Sequence, residues 1–202
     1  TRASGLVVST ADKTLPLPQW VVEDTTMALG QLAQMRAEAY SGTLIAITGS
    51  TGKTSVKELT AAILRHCGEV HATAGNLNNH IGVPLTLLSM TADTEIGIVE
   101  MGANHANEIA SLCEIAKPNM GYITNFGKAH LEGFGSEQGV VKAKSELYDY
   151  LKAHSGLIIL NFEDAKQVSQ VGAYSNTYTF SETLDSDLKV KRKAVHPFLS
   201  VE

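Results

Sequence analysis

One stretch limits what this chain can fold into: Leu44-Ile45-Ala46-Ile47 runs directly into Thr48-Gly49-Ser50-Thr51-Gly52-Lys53-Thr54. Four apolar residues suited to a strand enter a glycine-bracketed loop. The loop gives way to a helical pattern in which Val56, Leu59, Ile63, Leu64 and Cys67 share a face at 3.6-residue spacing, and Gly68 stops the run. A strand, Gly-x-x-Gly-Lys-Thr and a helix make a phosphate-binding loop. The glycines let backbone N–H groups crowd round phosphate oxygens, and the helix N-terminus adds the positive end of its dipole. Gly49, Ser50, Thr51, Gly52 and Ser55 are candidate phosphate contacts. Lys53 can reach the terminal phosphates, and the Thr54 hydroxyl can take a place on Mg²⁺. The longer G-x-x-x-x-G-K-[ST] pattern has glycine where this chain carries Ile47, so only the short form is present.

The same alternation continues along the chain. Apolar runs at 44–47, 96–99, 121–123 and 157–160, with a weaker one near 70–73, are separated by helical patterns at 53–67, 107–116 and 137–152. Strands apolar throughout, rather than at every second residue, are buried on both faces. The fold class that follows is α/β: a mostly parallel sheet with helices on both faces. From about residue 174 the composition shifts to Tyr, Thr and Ser, and Leu188, Val190 and 198–201 read as extra C-terminal strands, taken as antiparallel. Before the loop, 5–8 and 20–22 read as two small strands, and Asp24 caps a helix with Leu29, Leu32, Met35 and Ala39 on one face. Residues 1–42 are expected to be the tail of a preceding domain plus a linker, and 43–202 a truncated central domain.

Charge and cysteine usage exclude several classes. Sixteen basic against twenty-one acidic residues give a net charge of −5, which argues against nucleic-acid or membrane-surface partners. Cys67 and Cys113 have neither metal nor disulfide spacing, and buried free thiols in a reducing cytosol are expected of both. No apolar run approaches the ~20 residues of a membrane span, and no signal peptide opens the chain. A cytoplasmic monomer is the expectation.

Ligands of open parallel sheets bind beyond the carboxyl ends of the strands. After 96–99 comes Glu100, a carboxylate placed to hold Mg²⁺ directly or through water. After 121–123 come Thr124 and Asn125, then a glycine-rich loop with His130, which is open to a metal role or to none. Asn76, Asn78, Asn79 and His80 form a polar cluster denser than a capped turn needs. In 137–152, Lys144 falls on the apolar stripe of Val140, Val141, Leu147, Tyr148 and Leu151. A lysine there must snorkel outward, find an anion, or serve chemistry with a lowered pKa.

Taken together, these residues resemble the central domain of the Mur ligase family, ATP-dependent amide-forming enzymes of peptidoglycan precursor synthesis. The resemblance rests on 48–54, on Glu100-Met101-Gly102-Ala103-Asn104, on Gly75-Asn76-Leu77-Asn78-Asn79-His80-Ile81-Gly82-Val83-Pro84, and on Ala129-His130-Leu131-Glu132-Gly133-Phe134-Gly135-Ser136. These stretches are most similar to the member that joins D-Ala-D-Ala to UDP-MurNAc-tripeptide. The resemblance implies that Lys53 and the loop amides hold ATP phosphates, and that Thr54 and Glu100 hold one Mg²⁺. It implies a second Mg²⁺ on His130, with a carbamylated Lys144 supplying an anion for it, and Asn79 facing phosphates or substrate. Asn161 and Asp164 match an Asn-x-Asp-Asp-like nucleotide contact, from which Glu163 departs. The implied reaction forms an acyl phosphate that the dipeptide amine attacks, with Lys53, Asn79, His130 and Lys144 at the catalytic centre. The family's C-terminal domain and later adenine motif are absent, so these 202 residues alone are expected to be inactive. Rival readings are a sibling ligase, a folylpolyglutamate synthetase-like ligase, or a nucleotide-binding module that is no ligase.

Overall fold

The need to bury residues 43–48 on both faces organises the molecule. The computed structural model describes residues 3–127, 131–194 and 200–201. Two short parallel strands, β1 (Leu6–Val8) and β2 (Gln19–Val21), and the helix α1 (Thr25–Glu38) come first. Strands and helices then alternate: β3 (Thr43–Thr48), α2 (Lys53–Leu64), β4 (Val70–Ala72), α3 (Gly82–Leu88), β5 (Ile96–Glu100) and α4 (Glu108–Ala116). They continue with β6 (Met120–Ile123), α5 (Leu131–Phe134), α6 (Glu137–Ala153), β7 (Leu157–Asn161), α7 (Ala165–Val171), β8 (Thr177–Ser181), β9 (Leu188–Lys189), β10 (Arg192–Ala194) and β11 (Ser200–Val201).

The main sheet has seven strands in the order β4-β5-β3-β6-β7-β8-β9, and every neighbouring pair is parallel. Side chains of β3 alternate between two cores. Leu44 and Ala46 join Val83, Leu87, Leu112, Leu147 and Leu151 on one face, whereas Ile45 and Ile47 meet Ala61 of α2 on the other. The expected α/β sheet covered on both sides is therefore what forms. After β3 the chain moves to one side of the sheet, and after β5 it crosses to the other. The carboxyl ends of β3, β5 and β6 thus meet at a switch point, where an open sheet leaves a crevice.

Several expectations are corrected. In α2, Val56 and Leu64 pack half-buried on the core as expected, but beside them the buried residues are Lys57 and Ala61, while Leu59 and Ile63 are each 66% exposed. The bent phosphate loop sets the rotation of α2, so the stripe with the larger side chains faces outward. In α1, Gly30, Ala33 and Ala37 are buried, and Leu32, Met35 and Ala39 are exposed. Small residues win there because α1 lies against α3 and α4, with Gly30 close under Ile115. Asp24 caps α1 as expected, accepting from the amides of Thr26 and Met27 at 2.7 and 3.0 Å.

Cys67 is exposed in the turn after α2, which stops at Leu64, whereas Cys113 is buried as expected. The strands β8 and β9 extend the sheet in parallel, and among the described residues only β10–β11 is an antiparallel pair. Three helices have no counterpart in the sequence reading, α3, α5 and α7; they are seven, four and seven residues long, at most about two turns, too short for a periodic signal. Among the described residues no helix is long and apolar enough to cross a membrane.

Candidate active site

The loop after β3 is held from the neighbouring strand end. Thr124 Oγ1 donates to the Thr51 carbonyl at 2.6 Å, and Asn125 Nδ2 donates to the same carbonyl at 3.1 Å. Asn125 Oδ1 accepts from the Thr51 amide at 3.2 Å, and the Ser50 hydroxyl donates to the Gly127 carbonyl at 2.9 Å. Gly49 has φ +140°, and a Cβ there would collide with Thr124 Oγ1. Only glycine permits so close an approach. Lys53 opens α2 and folds back so that Nζ donates to the Gly49 carbonyl at 2.8 Å. Burial lowers its pKa, and the Glu100 carboxylate pulls it back up. A hollow of about 400 Å³ is lined by Ser50, Thr51, Gly52, Lys53, Thr54, Ser55 and Glu100, with Asn76 and Asn78 on its far wall. Of the sequence-predicted phosphate and metal contacts, Ser50 to Ser55 and Glu100 are thereby brought together, whereas Lys144 does not line this hollow.

Glu100 arrives there by register. It pairs with Ile47 at the end of β3, and the next amide, Met101 N–H, bonds the Ile47 carbonyl at 2.8 Å. The side chain is 1% exposed. Oε1 accepts from Asn78 Nδ2 at 2.8 Å, and Oε2 has no hydrogen-bond partner. A buried carboxylate oxygen left without a partner is costly by several kcal/mol, of order ~2–7 for an uncompensated polar group. A cation relieves that cost. Mg²⁺ prefers oxygen ligands, takes only one or two carboxylates from protein and fills its shell with water and phosphate. The Thr54 hydroxyl beside the carboxylate fits that donor set. Among the described residues no three His, Cys, Asp or Glu side chains cluster as a metal cage.

Beyond Lys53 a larger cavity of about 700 Å³ is lined by Asn78, Asn79, Gly102, Asn104, Asn107 and Glu108 among others. Asn79 Oδ1 accepts from the amides of Ile81 and Gly82 at 3.1 and 2.9 Å, so its side-chain carbonyl holds the turn that enters α3. Lys144 lies behind this wall, 2% exposed, and does not snorkel. Its Nζ donates to the Ala103 carbonyl at 3.3 Å and stands 5.5 Å from the centre of the Phe134 ring. Desolvation, and then the charge of Lys53, lower its pKa to about 8, against the pull of Glu108 and Glu146. His130 lies outside the described residues.

A third hollow, of about 590 Å³, flanks Thr51 and Asn125 and reaches Glu163, Asp164 and Lys166. Asp164 Oδ1 caps α7, accepting from the amides of Lys166 and Gln167 at 3.0 and 3.2 Å. Asn161 closes a turn by accepting from the Glu163 amide at 3.1 Å and is not among the residues lining the hollow. Glu163 holds the turn after β8, accepting from Thr183 Oγ1 at 2.7 Å and Ser181 Oγ at 3.1 Å. Its departure from a second Asp matches that local task.

Sequence reasoning missed the clamp formed by Thr124 and Asn125, whose only signal was polarity directly after a strand. It also missed Glu146, whose carboxylate accepts from the amides of Asn107 and Ala110 at 2.6 and 3.0 Å across the gap between α6 and α4. Nothing local in the sequence marks that contact.

The profile of the Mur ligase middle domain matches residues 47–199. The chain is 47% identical over 150 residues to the UDP-N-acetylmuramoyl-tripeptide–D-alanyl-D-alanine ligase of Escherichia coli, covering 74% of this chain and 33% of that protein. The ligase of the same name from Bacillus subtilis is 37% identical over 194 residues, 93% of this chain and 42% of that protein. Among solved structures, MurF ligase from Thermotoga maritima in complex with ADP superposes with a TM-score of 0.82 at 31% identity, over 95% of this chain and 44% of that one. MurF from Acinetobacter baumannii gives 0.78 at 36% identity, over 88% and 39%. The chain spans about a third of the length of the first curated relatives it matches.

Proposed function

The chain belongs to the Mur ligase family, and from that premise we propose that it is the ATP-binding centre of a ligase joining D-alanyl-D-alanine to UDP-MurNAc-tripeptide. The observation that carries the reading is the unpartnered Oε2 of buried Glu100, a residue that lines the same hollow as Lys53 and Thr54. That hollow suits nucleotide phosphates, with loop amides and the Lys53 ammonium as donors. Thr54 and Glu100 would hold Mg²⁺, which supplies positive charge where the transferred phosphoryl group gains negative charge. Lys53 exchanges the Gly49 carbonyl for a phosphate oxygen, a short swing because its Nζ already lies inside the loop.

The larger cavity beyond Lys53 suits the acceptor carboxylate, held beside Asn78 and Asn79. A carboxylate oxygen attacks the γ-phosphorus and ADP leaves, giving an acyl phosphate. The dipeptide amine then attacks the acyl carbon, phosphate leaves, and the nitrogen loses a proton. Both steps build anionic charge beside Lys53, where a fixed cation lowers the barrier most. Lys144, neutral in part near its pKa of about 8, is the amine suited to carbamylation by CO₂, and the resulting anion would help His130 hold a second Mg²⁺. Asp164 lines the wall beside the loop where the nucleoside would lie, and Asn161 closes the turn that leads to it.

The test is phosphate release by the longest natural protein that contains this chain. Release that needs both UDP-MurNAc-tripeptide and D-Ala-D-Ala supports the ligase. Release indifferent to both identifies a nucleotide-binding module, and release with another amine component identifies a sibling ligase.

A further inference from the structure

Lys57 is a fully buried lysine, 0% exposed, one helical turn beyond Lys53. Its Nζ donates to the carbonyls of Thr73 at 2.6 Å and Gly75 at 3.1 Å, and pairs with Glu58 Oε1 at 2.9 Å. A cation taken out of water needs such a full set of partners, and a helix would bury an aliphatic side chain there more cheaply. Its placement therefore calls for a reason beyond packing.

The two carbonyls lie on either side of Ala74, in the segment that leaves β4 and wraps round to Asn78. Both ends of that segment grip Glu100. Thr73 Oγ1 accepts from the Glu100 amide at 3.0 Å, and Asn78 Nδ2 donates to Glu100 Oε1 at 2.8 Å. Asn78 also locks the next turn, its carbonyl accepting from the Gly102 amide at 2.7 Å. Gly75 has φ +54°, a left-handed bend that lets two nearby carbonyls converge on one ammonium. Lys57 is thus the tie between the helix that begins with the phosphate lysine and the segment that aims the buried carboxylate.

We propose that Lys57 is a positioning residue for the divalent cation held by Glu100. It touches neither nucleotide nor metal. It sets the distance from the phosphate-bearing helix to the carboxylate, so that Glu100 lines the hollow with Oε2 left free for the cation. This inference rests on the nucleotide reading given above and adds a residue that reading does not use.

The experiment is Mn²⁺ binding to this chain with ADP present, read by electron paramagnetic resonance, beside ADP binding in EDTA. Lys57→Met is expected to weaken Mn²⁺ binding about tenfold, the lower end of what loss of an outer-shell partner does to a metal site. ADP affinity in EDTA should stay within about twofold, because the loop amides are untouched. In a Glu100→Gln background Lys57→Met should add less than about twofold, since an effect routed through one carboxylate is not additive. Thr73→Val, which cuts the link to the Glu100 amide, should weaken Mn²⁺ in the same direction, and Thr73→Ser should restore it. That pair tests the onward link from the segment held by Lys57 to the carboxylate, and unchanged Mn²⁺ affinity in Thr73→Val breaks that route and overturns the proposal even if Lys57→Met does not fold. Unchanged Mn²⁺ affinity, an equal loss of ADP affinity in EDTA, or additivity with Glu100→Gln each overturns the proposal. Wild-type chain without Mn²⁺-dependent ADP binding overturns the nucleotide reading itself, and this inference with it.

Discussion

Replacing Lys144 with methionine, a side chain of similar reach and no charge, tests how the buried amine is held. Desolvation and the nearby Lys53 charge lower its pKa from 10.5 to about 8. In the unfolded chain the amine keeps its proton to about pH 10.4. Between pH 8 and 10.5 the unfolded state therefore binds more protons than the folded one, and stability rises with pH across that window. Below it the full penalty applies, about 3 kcal/mol from the gap between the two values. From pH 7 to 9.5 the wild type should gain about 2 kcal/mol that the variant does not. At pH 7 the variant should be the more stable by about 1–2 kcal/mol, because the lost contacts to Ala103 and the Phe134 ring offset part of the relief. The assay is urea unfolding of both chains at the two pH values, in metal-free buffer stripped of CO₂ so that the amine stays unmodified. Equal pH slopes for wild type and Lys144→Met would show that the amine is not desolvated as the geometry requires.

Three further outcomes are expected. With ¹³C-bicarbonate and Mg²⁺ at pH 8.5, wild type should show a carbamate carbon resonance that Lys144→Met lacks; a spectrum identical in both removes the carbamate. Glu100→Gln keeps the side-chain shape but not the charge, and Mg²⁺-supported turnover of the longer protein should fall by about 10²-fold or more, as for other groups that stabilise transition-state charge. Normal turnover would take Glu100 out of the site. Asn125→Ala removes the bonds to the Thr51 carbonyl and amide, and ADP binding in EDTA should weaken about tenfold, equivalent to one or two net hydrogen bonds. An unchanged dissociation constant would mean that Thr124 alone fixes the loop.

The sequence by itself determined the features that depend on local chemistry or on covalent order. Gly49, Gly52, Lys53 and Thr54 are consecutive enough that the loop could be read without knowing what surrounds it. Continuous apolar runs dictated strands buried on both faces, and hence a parallel sheet whose carboxyl ends collect the polar residues. Glu100 followed from that rule, and the apolar stripe singled out Lys144 while leaving open whether it snorkels outward; that it is buried came from the structure.

Tertiary structure decided what periodicity leaves degenerate. On α2 the stripe of Leu59 and Ile63 and the stripe of Lys57, Ala61 and Leu64 are both helical in period. The tether of Lys53 to the Gly49 carbonyl chose the second, which is why a lysine is buried and two large apolar side chains are not. On α1 the close approach of α4 selected Gly30, Ala33 and Ala37 over the bulkier Leu32 and Met35. The clamp on Thr51 spans more than seventy residues, and Glu146 reaches Asn107 from another helix. Contacts at such separation come from how elements pack, which no spacing within one segment encodes.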